Sequence, residues 1–353
     1  MTTKKTRQGA GRVHWSAMKT VLLLLALFVP AAFSQTHVLY DDDCTSDNDC
    51  PVNFATLHKL ADAGEITILA TVADSANPLA APAMKVFNTY YGRPGIPIGA
   101  NQTAGPDNPL CVKNGCNTST WLGGLISHFD LGDTRAKYPS CVTVYRKTLA
   151  AQPDQSVVVV ATGFLTCLVQ VMVSPADAVS PLTGAELLKA KVSKLVVMGG
   201  AYPKGLEFNL DSDPADSAAV FTEWTTGHGY APLWLISFAD GAKALSGPPP
   251  GDDPTTHPAV YAFQLAHSTQ RGSWDSMSIL YAARGLAYKG VTYWTDSGDG
   301  TVVMDRATGA DSFSTATQSG HHFLINALSN EGFSAILDGH HHKGFAAQPP
   351  ATH

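Results

Sequence analysis

What this sequence lacks narrows its chemistry. Its six cysteines form no CxxC pair, which excludes the usual structural zinc spacings. The apolar run Val21 to Val29 falls far short of the roughly 20 residues that a membrane span needs. Beyond residue 34 there is no basic patch to meet the phosphates of a nucleic acid polymer or an anionic membrane surface. No internal repeat and no second composition regime divide the chain. Its 353 residues, 44% hydrophobic, therefore read as one large unit with a sizeable core.

The N-terminus reads as an address. Lys4, Lys5, Arg7, Arg12 and Lys19 precede the apolar run, and Ala32-Phe33-Ser34 puts small residues at the two positions a signal peptidase reads. Residues 1–34 are expected to be a signal peptide cleaved near Ser34–Gln35, with an uncleaved anchor as the alternative. Residues 35–345 are then the folded domain and 346–353 a disordered tail. Cleavage removes five basic residues and no acid, which takes the net charge from −6 to −11. The mature protein is expected to be periplasmic or secreted, free of the membrane, where disulfides are permissible. Cys111 and Cys116 bracket a turn and are the easiest local pair. Cys44 and Cys50 flank an acidic loop and can also close. Cys141 and Cys167 complete the set, and spacing does not settle the connectivity.

The acidic loop is the feature around which the rest falls into place. Val38-Leu39-Tyr40 reads as a short buried strand that opens into Asp41, Asp42, Asp43, Asp47 and Asp49, five carboxylates within nine residues. Pro51 then suits the first turn of a helix through Phe54, Leu57 and Leu60. At neutral pH these acids repel one another, and a hard cation such as Ca²⁺ would relieve the repulsion. A solvated acidic turn is the plainer alternative. An EF-hand is excluded, because the sixth position carries no Gly and the twelfth no Glu.

Further strands are expected at Glu65–Ala73, Ile96–Gly99, Ser156–Gly163, Lys194–Gly200 and Pro232–Phe238, with helical segments between them. Asp213 suits the N-cap of a helix from Pro214. Buried runs alternating with helices predict an α/β fold with a mostly parallel central sheet covered on both faces. Polar residues close one strand after another: the acidic loop, Asp74 and Asn77, Thr162 and Thr166, and Glu207-Phe208-Asn209. Gathered on one sheet edge, such groups suit a cation and a polyol.

Asp41-x-Asp43-x-x-x-Asp47-x-Asp49, Gly163-Phe164-Leu165-Thr166, Met198-Gly199-Gly200, Glu207-Phe208-Asn209 and Trp274-Asp275 occur in the order found in nucleoside hydrolases. From about residue 36 to about 340 the chain resembles the inosine/uridine-preferring nucleoside hydrolase family, in particular an exported bacterial branch. The resemblance implies a Rossmann-like fold, a Ca²⁺ cofactor, a small-molecule nucleoside as substrate, and hydrolysis of its N-glycosidic bond to ribose and free base. It implies Asp43 as general base and metal ligand, Asp49, the Thr166 carbonyl and Asp275 as further ligands, and Asn77, Glu207 and Asn209 on the ribose hydroxyls. Asp47 would add to the metal set and Asp41 to the substrate side, while Trp274 would stack on the base. Homo-oligomerisation stays open.

Two departures stand against the pattern. Cys50 occupies a position where the family usually has a metal-binding Asp, and a thiol is a poor Ca²⁺ ligand. Trp274 stands where a His is common, so activation of the leaving group is unassigned. The alternative reading is a catalytically impaired nucleoside- or ribose-binding protein on the same fold; a third is a glycosidase for another ribosyl compound. Taken alone, Asp275 reads as a helix N-cap and Tyr281 as a core aromatic. His321-His322 and His340-His341-His342 read as solvated.

Overall fold

The protein was analysed as a computed structural model, which describes residues 1–3, 35–45, 47–103, 120–129 and 137–342. The unit Ser34–His353 carries the fold. Nearly all of the expected signal peptide lies outside the described residues, as do Cys111, Cys116 and the expected tail.

Eight strands form the main sheet: β1 Thr36–Asp42, β2 Ile66–Ala73, β3 Ile98–Ala100, β4 Val157–Ala161, β5 Val192–Met198, β6 Leu233–Ile236, β7 Trp294–Asp296 and β8 His321–Asn326. Their order is β7-β8-β6-β5-β4-β1-β2-β3. Every pairing is parallel except β7 with β8 at one edge. The expected α/β class with a mostly parallel sheet is borne out. At its centre, β4 is Val-Val-Val-Val-Ala and buried throughout, as a strand covered on both faces should be.

Two apolar clusters cover the two faces. Val38 and Tyr40 of β1 belong to one, and Leu39 to the other. This period of two decides where the first acids point. Asp41 turns to the second face, where its Oδ2 accepts a 2.6 Å hydrogen bond from the Tyr145 hydroxyl. Asp42 turns to the first, under the hydroxyl of Tyr40.

The helix Cys50–Asp62 begins at the acidic loop with Pro51 in its first turn. The late helix Trp274–Arg284 packs against it. Asp213 accepts from the Asp216 amide, which bears out the expected cap. Tyr281 is a core aromatic, 2% exposed. His321 is not solvated but fully buried in β8. One ring nitrogen meets the amide of Val302, the other the carbonyl of Trp224, and strand placement rather than terminal position decides its environment. Among the described residues no helix is long and apolar enough to cross a membrane.

Candidate functional site

The parallel strands all point their carboxyl ends at one edge, and the segments leaving that edge enclose a cavity of about 300 Å³. Asp43, Asp47 and Asp49 come from the loop after β1, and Thr162 follows β4. Met198 ends β5, and Glu207, Phe208 and Asn209 follow it. Phe238 lies just beyond β6. Arg271, Trp274 and Asp275 close the far side. This is where open α/β sheets bind their ligands, because the loops diverge there and leave a crevice.

Cys44 and Cys50 are joined in a disulfide, which ties the acidic loop to the first residue of its helix. Asp43 is 8% exposed and Asp49 7%. Asp49 stands at the helix N-cap position, yet its side chain caps no helical amide, so its carboxylate is left to the cavity. Ser75 donates to the carbonyl of Asp43 at 2.6 Å and fixes the backbone there. Gly163 leaves room for this packing: a Cβ on it would lie 2.5 Å from the Asp43 amide nitrogen and 2.6 Å from Asp74 Oδ2. Only a residue without a side chain lets the β4 exit pass so close.

Asp275 is 4% exposed and lies in the first turn of its helix, with Ser273 at the N-cap. The helix N-cap reading therefore does not describe it. Its Oδ2 accepts from Asn53 Nδ2 at 2.9 Å. The same amide nitrogen reaches Asp42 Oδ2 at 3.4 Å, and the Ser276 hydroxyl donates to Asn53 Oδ1 at 2.9 Å. Ser276 thus presents its hydroxyl to the amide oxygen and turns the amide NH₂ toward the two carboxylates. Burial raises the pKa of Asp43, Asp49 and Asp275 well above the ordinary carboxylate range, and neighbouring acids add to it.

Aromatic rings also line the cavity. The rings of Phe238 and Trp274 stack with centroids 5.4 Å apart and planes 25° apart. The Arg271 guanidinium lies over the Trp274 ring at 5.2 Å. Arg271 also grips Asp47 with two nitrogens, Nε to Oδ1 at 2.7 Å. The Trp274 indole N–H is spent on the Phe238 carbonyl at 2.8 Å, which fixes the ring as a flat surface rather than a donor to a ligand.

Seven of the ten residues singled out from the sequence line this cavity: Asp43, Asp47, Asp49, Glu207, Asn209, Trp274 and Asp275. Their surroundings alter what several can do. Asp47 is paired with Arg271 rather than left for a metal. Glu207 accepts from the amides of Asn209, Leu210 and Gly200, so its carboxylate organises the loop. Burial pushes its pKa up to about 7 against the pull of those bonds. Asn209 donates to the carbonyl of Thr162 at 3.1 Å and braces the ends of β4 and β5.

Asp41, Asn77 and Thr166 do not line the cavity. Asp41 faces Tyr145 through strand alternation. Asn77 Oδ1 accepts from the Leu79 amide at 2.9 Å, a local turn around Pro78. Thr166 starts the helix Thr166–Met172 and donates its hydroxyl to the Asp74 carbonyl at 2.9 Å. Sequence reasoning missed Asn53, Phe238 and Arg271. Asn53 carries a signal, a fully buried amide between apolar neighbours. Phe238 and Arg271 carry none, since only the tertiary fold brings them here.

The donor set does not suit Ca²⁺. Such an ion takes about six to eight oxygens at roughly 2.3–2.6 Å. Cys50 offers a disulfide sulfur. Asp275 presents an oxygen already holding an amide N–H, and Asp47 is neutralised by Arg271. Among the described residues, the ligand-type atoms within 4.8 Å of one another belong to Asp42, Cys44 and Cys50, and oxidation of both sulfurs leaves no thiolate for a metal. Asp43, Asp49 and Asp275 are not drawn together to that extent.

No protein-family model matches the sequence, and no curated protein does. Solved structures do resemble it. A plant nucleoside hydrolase matches with a TM-score of 0.62 and 13% identity, covering 88% of this chain and 99% of the other. An inosine-guanosine nucleoside hydrolase matches at 0.60 with 17% identity, covering 86% and 98%. The type III effector XopQ, solved with adenosine diphosphate ribose, matches at 0.62 with 14% identity, covering 87% and 94%. The chain has the nucleoside hydrolase fold.

Proposed function

We propose that the cavity binds a ribonucleoside and that the protein hydrolyses its N-glycosidic bond, releasing ribose and free base. The observation that carries this reading is the meeting of buried carboxylates and a stacked aromatic pair in one cavity. Asp43, Asp49 and Asp275 line it together with the stacked Phe238–Trp274 pair. Carboxylates accept hydrogen bonds from sugar hydroxyls, and a flat aromatic face takes a nucleobase.

Cleavage passes through a sugar with oxocarbenium character, which nearby negative charge stabilises. In this reading Asp43 takes the proton of the attacking water. Asp49 and Asp275 hold the hydroxyls, and Trp274 holds the base. The Ca²⁺ expected from the resemblance has no part here, because the donor set does not suit it. Export belongs to the same proposal, since disulfides persist in oxidising compartments.

A second reading, binding without turnover, is favoured by one observation: Cys50 sits in a disulfide where the resemblance calls for a carboxylate. Incubation with inosine or uridine, with reducing-sugar release and calorimetric binding measured together, separates the two. Hydrolysis predicts ribose release that Asp43→Asn reduces by at least about a hundredfold while binding persists. Saturable binding with no release, unchanged by Asp43→Asn, moves the protein to the second reading. Absence of binding to any riboside removes both.

A further inference from the structure

We propose that Asn53 and the Cys44–Cys50 disulfide assemble the carboxylate wall of this cavity without a divalent cation. In a pocket that collects acids from distant parts of a chain, something must offset their repulsion. Here Asn53 supplies two N–H donors, one to Asp275 Oδ2 at 2.9 Å and one toward Asp42 Oδ2 at 3.4 Å. Asp42 also receives the Cys44 amide at 2.7 Å and the Tyr40 hydroxyl. The donor set of Asp42 therefore fills from the protein itself.

The orientation of Asn53 is not free. Its carbonyl oxygen accepts from Ser276, so a flip that brought this oxygen to the carboxylates would set acceptor against acceptor. An ion between Asp275 and Asp42 would face the positive end of the amide. Asn53 is fully buried, and the helix that carries it packs on the helix of Asp275, so the amide has no room to withdraw. The disulfide works on the second flank. It fixes Cys50 beside Asp42 as an apolar sulfur pair, so that neither sulfur is a thiolate donor to an ion there. On the third flank, Arg271 cancels the charge of Asp47.

The inference concerns the wall and not the reaction, and its test uses no substrate. The oxidised protein is titrated with Ca²⁺ by calorimetry and with Tb³⁺ by sensitised luminescence, and its melting temperature is compared in Ca²⁺ and in chelator. The expected result is no saturable heat, no emission above that of an Asp43→Asn/Asp275→Asn control, and coincident melting curves. A stoichiometric site overturns the proposal, as does a rise of roughly 5 °C or more in melting temperature at an ion concentration about a hundred times Kd. The combined variant Cys44→Ala/Cys50→Asp/Asn53→Ala introduces a carboxylate and removes the amide. It is expected to gain Ca²⁺-dependent thermal stabilisation. If it folds and gains none, these residues are not what keeps the ion out. If it does not fold, the wild-type titrations decide the question alone.

Discussion

Asn53 and Asp275 lie 222 positions apart in the chain and meet through an amide-to-carboxylate hydrogen bond of 2.9 Å. The contact joins the helix that leaves the acidic loop to the helix that closes the cavity from the far side. Asn53→Ala leaves two buried carboxylates short of a donor, and a buried acceptor without its partner costs about 1–3 kcal/mol. The variant is expected to unfold at lower urea concentration by that margin, with an unchanged denaturant slope. Asn53→Asp should cost more, because it adds a further buried acid. A loss below about 0.5 kcal/mol for Asn53→Ala would show that the bond does not join the two helices.

Trp274 presents a flat face whose N–H is already committed to Phe238. Stacking of a base on such a ring is worth about 1–3 kcal/mol, or roughly a tenfold to hundredfold change in affinity. Trp274→Ala is expected to weaken nucleoside binding by that factor and leave free ribose binding unchanged. Calorimetry with inosine and ribose side by side checks this. An equal loss for both ligands would place the indole against the sugar instead.

His58 contributes to the acid limb of stability. Its Nδ1 accepts from Arg93 at 3.3 Å, so its Nε2 donates to Asn88 Oδ1 at 2.9 Å. Burial drives the pKa from 6.5 down to about 3, against the Asn88 bond and with some help from the Arg93 charge. Between those two pH values the unfolded chain takes up a proton that the folded chain refuses. The stability that His58 contributes is therefore full above about pH 6.5 and lost progressively as pH falls toward 3, by several kcal/mol in all. His58→Gln keeps one donor and one acceptor and should flatten the limb. Urea midpoints measured from pH 7 to 4 in both proteins test it, and parallel curves would assign the acid sensitivity elsewhere.

The disulfide Cys141–Cys167 clips the first residue of one helix to the second of another, across 26 positions. Closing a loop of that length restricts the unfolded chain by about 3 kcal/mol. The double variant Cys141→Ser/Cys167→Ser should lose about that much in chemical denaturation. A loss under about 1 kcal/mol would mean the bridge adds nothing to packing already in place.

The central strands were legible because parallel strands buried on both faces need continuous β-branched runs, and Val157 to Val160 is such a run. The edge strands Trp294–Asp296 and His321–Asn326 were not, since mixed polar residues hide them; His321 looks like surface and lies in the core. The site divides along a similar line. Asp43, Asp49, Glu207 and Asn209 follow strand ends and were read from that position. Asp41 lies off the cavity by strand alternation, and the side chains of Asn77 and Thr166 are engaged in a local turn and a helix start. Arg271 and Phe238 reach the cavity only through tertiary packing, which no local pattern encodes.

The bridge between Cys44 and Cys50 closes a ring over six positions that contains Asp47 and Asp49 and follows directly on Asp43. A loop so short and so laced has few shapes left to sample. A guest entering the crevice meets a mould already cast, and its affinity is spared the entropy of ordering a floppy segment. The shape offered to a guest is set when the thiols are oxidised, before it arrives.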